Sequence, residues 1–317
     1  MLIVREPERC PRPDQGTVVT IGAYDGVHLG HRAVIATCRR LAAERGMATA
    51  VVTFDRHPAT VVRPESAPFL LTDLDQKLEL LGDTDVDYVY VLAFDLARSQ
   101  ESAEDFVTDV LTGCLNARVV AVGADFHFGH QRRGNVELLR AMGGGLGFDV
   151  VGFDLVGPDG RAAPRGDEVS STAVRRALTD GDVAEANRLL GRPFEVRGEV
   201  VGGDRRGQSW GFPTANVAVP EGMQLPADGI YACWYERPTG EVYAAAASLG
   251  RRPTIYDDQP YRLLEAHLLE FDGDLYGERA EVRFEARLRG EAKFESVDAL
   301  IEQIRVDCDD ARRLLIG

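Results

Sequence analysis

The feature that most constrains this chain is a change of texture partway along it. Up to about residue 154, short β-branched runs alternate with helical stretches; after about 181–198, strand-like runs follow one another with only Gly, Pro or Asp turns between them. TVVTIG (17–22) predicts a strand. The stretch from His31 to Gly46 predicts a helix, because Val34, Ile35, Cys38, Leu41 and Ala42 recur on one face and Gly46 supplies a stop. ATAVVTF (48–54) is the next strand, and Asp73 followed by Gln76 reads as a capping box for LDQKLELL. DYVYVLAF, a helix over 101–113, RVVAVG (118–123), a further helix and FDVVGFD continue the alternation. Strands that alternate with helices build a doubly wound parallel sheet, which binds ligands at the carboxyl ends of its strands. The later runs (VRGEVVGG, GIYACWYE, EVYAAAASLG, RLLEAHLLEF and RAEVRFEARL) predict a small antiparallel barrel or sandwich. A last helix over 296–315 is expected to carry Val297, Leu300, Ile301, Ile304 and Cys308 on one face. The fold class is therefore α/β followed by β, in two unlike domains, residues 1–186 and 187–317.

Composition narrows the function. The chain has 317 residues and a formal net charge of −15, which argues against nucleic acid as a partner, since phosphate backbones need a basic face. No apolar run approaches the length that crosses a bilayer, and MLIVREPERC lacks the core of a signal peptide. The five cysteines, Cys10, Cys38, Cys114, Cys233 and Cys308, form no C-x-x-C pair. They read as incidental thiols of a cytoplasmic protein without a zinc site or disulfide framework. Small-molecule partners are expected, no membrane is, and a homo-oligomer is left open.

Two of the chain's six histidines, His28 and His31, stand in GAYDGVHLGH, a turn between strand and helix. Such a turn offers free N–H groups and the positive end of a helix dipole, which suits an anion. Gly22, Gly26 and Gly30 allow close approach, and imidazoles can donate to phosphate oxygens. The alternative is a pair of loop histidines that merely pack a turn; zinc lacks a ligand set. VSSTAVRRAL offers Ser171 and Thr172 at a helix start with Arg175 following, either as a phosphate site or as an ordinary helix cap. VGADFHFGHQRRGN (122–135) mixes glycines with Phe126, Phe128, Asp125, Arg132 and Arg133, which suits a flat heterocycle bearing a phosphate or, equally, a turn with two core phenylalanines. In GGDRRGQSWGFPTANV (202–217), Gly203, Arg206 and Gly211 belong to a loop able to wrap phosphates, while Thr214 and Asn216 offer hard oxygens suited to Mg²⁺. Gly-Phe-Pro-Thr can also be read as a bulge that leads into a strand.

His28-Leu29-Gly30-His31 resembles the H-x-G-H signature of the nucleotidylyltransferase superfamily, and Ser170-Ser171-Thr172 with Arg175 resembles its I-S-S-T-x-x-R signature. More narrowly, TIGAYDGVHLGHR is similar to the opening of the bacterial bifunctional riboflavin kinase/FMN adenylyltransferases. VGADFHFGHQRRGN and TFDRHPA resemble that family's flavin-side and F-D-P-H-P blocks. GFPTAN, LGRRPTIYDD, RLLEAHLLEFDGDLYGE and LRGEAKFES are similar, in order, to its riboflavin kinase domain. The resemblance implies a Rossmann-like nucleotidylyltransferase domain followed by an antiparallel β-barrel kinase domain with a terminal helix. It implies riboflavin and FMN as flavin substrates, ATP as donor in both steps, and Mg²⁺. By the same resemblance His28, His31 and Arg175 act in adenylyl transfer, with Gly22, Asp25, Gly30, His57, Ser171 and Thr172 around the nucleotide. Asp125, Phe126 and Phe128 line the flavin pocket. Thr214 and Asn216 hold Mg²⁺ and the ATP phosphates, and Glu265 is the base for riboflavin's 5′-hydroxyl. Departures from the family pattern are Ala23-Tyr24 for Asn-Phe, Arg56 for Pro, and Ser248-Leu249-Gly250 for Asn-Ile-Gly.

Overall fold

A computed structural model describes residues 1–5, 9–124, 126–153, 157, 163, 168–203, 210–252 and 261–317. The chain divides into two compact units, Met1–Ser171 and Thr172–Gly317.

In the first unit, β1 (Leu2–Val4), β2 (Thr17–Ile21), α1 (Leu29–Arg45), β3 (Ala48–Phe54), the one-turn α2 (Ala59–Val62), α3 (Leu74–Gly82) and β4 (Tyr88–Leu92) come first. Then follow α4 (Ala103–Phe106), which runs on as a π-helical stretch (Val107–Cys114), β5 (Ala117–Gly123), the short pair β6 (His127–Phe128) and β7 (Gly134–Asn135), α5 (Val136–Leu146) and β8 (Asp149–Phe153). Six strands pair in parallel in the order β1-β4-β3-β2-β5-β8. The direction of strand addition reverses between β2 and β5, and a crevice opens at the carboxyl ends of two such strands. The strands read as near-continuous apolar runs because both faces are covered: β2 is buried at every position and β3 at all but its last. Local signals set the helices. Gly46 closes α1 in a left-handed conformation (φ 64°). Asp73 and Gln76 form both halves of the capping box that starts α3.

The second unit opens with α6 (Ser171–Asp180, its first residue shared with the boundary) and α7 (Val183–Leu190). β9 (Phe194–Val201), β10 (Ala215–Ala218), β11 (Gly229–Glu236), β12 (Val242–Arg252), β13 (Tyr261–Leu268), β14 (Arg279–Arg289) and α8 (Val297–Leu315) follow. The strands close an antiparallel barrel in the order β10-β13-β12-β11-β14-β9, which leaves no free edge. On α8 the expected face is covered except at its start. Cys308 and Ala311 are buried, Ile304 and Leu315 pack beside them, and Val297 is 53% exposed. The cover thins toward the start of the helix, where Leu300 and Ile301 are half-buried and Val297 stands out from the barrel.

The expectation of five incidental thiols is corrected. Cys10 and Cys114 form a disulfide with a Cα–Cα separation of 4.8 Å, while Cys38, Cys233 and Cys308 are free and buried. Arg12 N also donates to Cys114 O (3.0 Å) and Asn116 Nδ2 to Pro13 O (2.8 Å), so residues 10–13 are laced to the end of the π-helical stretch. A sequence separation of 104 leaves no local trace of this pairing. Thiol titration of the unfolded, unreduced chain is expected to find three thiols, against five after reduction. Reduction is also expected to lower the melting temperature, since a cross-link over about 100 residues is worth roughly 4–5 kcal/mol on the chain-entropy account. Five thiols before reduction would show that the bond does not form.

Candidate active sites

β2 ends at the reversal of strand order, and a strained turn follows it. Tyr24 and Val27 both take positive φ, 50° and 38°, a region unfavourable to any L-residue and most of all to a β-branched one. Packing holds them there, since both are buried with Leu78 and Leu81 of α3. The Asp25 carboxylate accepts from Leu71 N (2.9 Å) and Thr72 N (3.1 Å), and Gly26 N donates to Thr72 Oγ1 (3.1 Å).

His28 caps α1: its Nδ1 accepts from His31 N at 3.3 Å. An accepting Nδ1 leaves the ring proton on Nε2. The two imidazoles stack with centroids 3.6 Å apart, and His31 tilts against the Tyr24 ring at 4.9 Å. Burial first, then His28 and Lys77, holds the His31 imidazole well below its usual titration range. Its buried Nδ1 has no hydrogen-bond partner among the described residues. A Cβ on Gly30 would lie only 2.8 Å from Val169 O, so the backbone at 169 approaches α1 as closely as glycine permits. Ser171 Oγ donates to Asp25 O at 2.9 Å. These two contacts bring the start of VSSTAVRR against GAYDGVHLGH. Thr172 and Arg175 follow on α6, Arg175 one turn beyond Ser171 on the same helix face.

Lys77 carried no signal in the sequence. It is 7% exposed, and its Nζ donates to Phe54 O (2.7 Å) and Ala23 O (3.4 Å), joining the chain just beyond β2 to the end of β3. Burial pushes its ammonium down to about 8, against the opposing pull of Asp25 and Asp55. His57 lies beyond β3, where its Nδ1 accepts from Ala59 N at 3.1 Å. Gly22 follows β2 directly, its Cα close beneath the Tyr24 ring. Beyond β5, Phe126 and Phe128 stack at 5.4 Å and pack, half-buried, against the core. Asp125 lies outside the described residues, as do Arg205 and Arg206.

In the second unit Asn216 of β10 pairs with Glu265 of β13, and Glu265 pairs on its other side with Ser248 of β12. The three therefore stand in one row across neighbouring strands, the arrangement that brings side chains into contact. With Thr214 they line a cavity of about 570 Å³ that Phe212, Phe271 and Ile304 also bound, a size that suits an organic ligand. Asn216 is 6% exposed, and its buried Oδ1 has no hydrogen-bond partner among the described residues. A Cβ on Gly203 would collide with the Asn216 amide, so that backbone lies directly against it. Gly211 takes φ 87°, which admits Thr214's segment to the cavity only through glycine. The far wall holds a pair the sequence did not signal: Arg289 donates twice to Asp307 (2.9 and 2.7 Å), a carboxylate that is 4% exposed.

Among the described residues no group of three or more His, Cys, Asp or Glu could hold a metal ion, and no helix is long and apolar enough to cross a membrane.

Residues 10–173 match the family described as FAD synthetase, and residues 190–315 match riboflavin kinase. The chain is 38% identical to the bifunctional riboflavin kinase/FMN adenylyltransferase of Listeria monocytogenes, covering 94% of this chain and 92% of that one. The enzyme of the same description from Pseudomonas fluorescens is 40% identical over 96% of this chain and 94% of its own, and that from Escherichia coli is 37% identical over 93% and 91%. A crystal structure described as a macrolide-efflux protein from Streptococcus pneumoniae superposes with a TM-score of 0.85 at 28% identity, covering 98% of this chain and 99% of that one.

Proposed function

The chain belongs to the family of bifunctional riboflavin kinase/FMN adenylyltransferases, and we propose that residues 187–317 carry the phosphorylation while residues 1–186 carry the adenylyl transfer. The enzyme phosphorylates riboflavin with ATP to FMN, then adenylylates FMN with a second ATP to FAD, releasing pyrophosphate.

The observation that carries the kinase assignment is the pairing of Asn216 with Glu265 on the wall of one cavity. Glu265 takes the proton of riboflavin's 5′-hydroxyl as that oxygen attacks the γ-phosphorus of ATP, and the bond to the β-phosphate oxygen breaks to leave ADP. A primary alcohol is a poor nucleophile near neutrality, and a positioned carboxylate supplies about 10²–10⁴-fold. Asn216 Oδ1 is a buried oxygen in search of a partner, and Thr214 adds a hydroxyl; both suit a hard cation. Both are neutral, so they fit Mg²⁺ that arrives on ATP phosphates rather than an ion caged by carboxylates. Bound there, Mg²⁺ would neutralise polyphosphate charge.

Adenylyl transfer is served by the turn after β2. A phosphate oxygen of FMN attacks the α-phosphorus of ATP, and the bond to pyrophosphate breaks without a covalent enzyme intermediate. His28, with Nε2–H, and His31 donate to phosphate oxygens at the N-terminus of α1, where the helix dipole favours anions. Arg175 follows the departing pyrophosphate. Ser171 adds a donor beside the same turn, supported by the Ser171–Asp25 bond, and Thr172 is assigned to the same nucleotide. Asp25, Gly22, Gly30 and His57 shape the nucleotide side. The flavin side is assigned to the β5–β7 segment with Asp125, Phe126 and Phe128, and Gly203, Arg206 and Gly211 to the kinase phosphate loop. A cytoplasmic location suits this acidic chain and its small-molecule substrates.

The test is a time course with riboflavin, ATP and Mg²⁺, the flavins being separated chromatographically. FMN is expected first and FAD second, and a chelator should stop both steps. FAD formation that survives complete removal of divalent metal would defeat the Mg²⁺ assignment.

A further inference from the structure

β10 and β13 make their last antiparallel rung between Ala215 and Ala266. One step further the chain reaches Thr214 and then Pro213, which has no N–H to give to a ladder. A side chain takes over there. Nδ1 of His267 lies 2.7 Å from Pro213 O. A carbonyl only accepts, so the ring proton sits on Nδ1. The ring also stands edge-on to Phe212, with centroids 5.4 Å apart at 75°. His267 lies two residues beyond Glu265 on β13, hence on the same strand face, and both line the cavity with Thr214 and Asn216. Thr214 is thus fixed from both sides, by the Ala215–Ala266 rung after it and by the His267–Pro213 bond before it.

We propose that His267 is a positioning residue for riboflavin phosphorylation: its Nδ1–H fastens the Phe212-Pro213-Thr214 segment so that the oxygens of Thr214 and Asn216 meet Mg·ATP opposite Glu265. This rests on the assignment of Thr214 and Asn216 made above. The segment is entered through Gly211 at φ 87°, and beyond it the strand's last rung and the side-chain bond are what set Thr214. Displacement of about 1 Å at such a position costs on the order of 10²-fold in rate.

Asparagine places an amide N–H where Nδ1 stood, whereas glutamine places it where Nε2 stood. His267→Gln and His267→Ala are expected to raise KM for ATP and to weaken binding of Mn²⁺·ADP, read by calorimetry without turnover, by about tenfold, the scale of one lost hydrogen bond. His267→Asn is expected to restore both. KM for riboflavin and the conversion of supplied FMN to FAD should be unchanged in all three, the latter also reporting a folded chain. Wild-type Mn²⁺·ADP affinity in His267→Gln, or loss as large in His267→Asn as in His267→Ala, would overturn the proposal. Asn216→Ala separates it from the assignment beneath it. If that variant keeps full Mn²⁺·ADP affinity, both fall; if it weakens while His267→Gln does not, only the role of His267 falls.

Discussion

Glu265→Gln is expected to slow FMN formation by about 10²–10⁴-fold, the contribution of a positioned general base, and to leave conversion of supplied FMN to FAD untouched. Glutamine keeps the length and polarity of the side chain, so the row Asn216–Glu265–Ser248 retains its packing and only the ability to take a proton is removed. Alignment of ATP and neutralisation of its charge remain, so residual activity is expected rather than none. KM for ATP should change little, since the carboxylate acts on the hydroxyl and not on the nucleotide. Feeding riboflavin and FMN in separate reactions and resolving the flavins measures both steps in one preparation. A wild-type rate of FMN formation would remove Glu265 from the chemistry, and loss of both steps would mean that the two sites do not act separately.

The alternating sheet, its carboxyl-end turn and the barrel were legible because each is written in short-range signals. Asp73 and Gln76 lie within one helical turn of each other, Gly46 acts on the helix it ends, and the strand runs announce themselves by β-branched content. His28 and His31 are three residues apart, so their stacking needs only the start of α1. What escaped depends on distant partners. β1 is a three-residue edge strand whose pairing with β4 only the folded sheet supplies. Cys10 and Cys114, Lys77 with the carbonyls of Ala23 and Phe54, Arg289 with Asp307, and His267 with Pro213 are all joined across long stretches of sequence. Arg289 and His267 stand at or beside the end of a strand, whereas Lys77 and Asp307 lie within helices, so no shared local position marks them. On α8 periodicity marks the stripe that Ile304 and Cys308 share, but the barrel decides how far along the helix the cover extends, and Val297 lies beyond it.

His31→Ala is expected to produce the mirror image of the Glu265 variant: FAD formation falls by about 10²–10³-fold, the cost of one lost donor to charge developing on phosphate, while riboflavin phosphorylation continues. The residue is half-buried with its Nδ1 closed off from solvent, and its ring is stacked on His28 and held against Tyr24, so it is oriented before substrate arrives. Its backbone N–H still caps onto His28 after the substitution, so α1 keeps its start. Burial also gives His31 a signature in stability that needs no substrate. Because its folded titration lies well below 6.5, the unfolded chain binds a proton there as pH drops past 6.5 and the folded chain does not. Its contribution is therefore full above pH 6.5 and is lost as pH falls toward the folded-state value. His31→Gln should flatten the decline of the melting temperature between about pH 7 and 5. A variant that loses adenylyl transfer yet keeps the wild-type pH slope would show that His31 is not buried and neutral in the free enzyme, and that it enters the site charged. An unaltered rate of FAD formation in His31→Ala would take the turn after β2 out of the adenylyl transfer altogether.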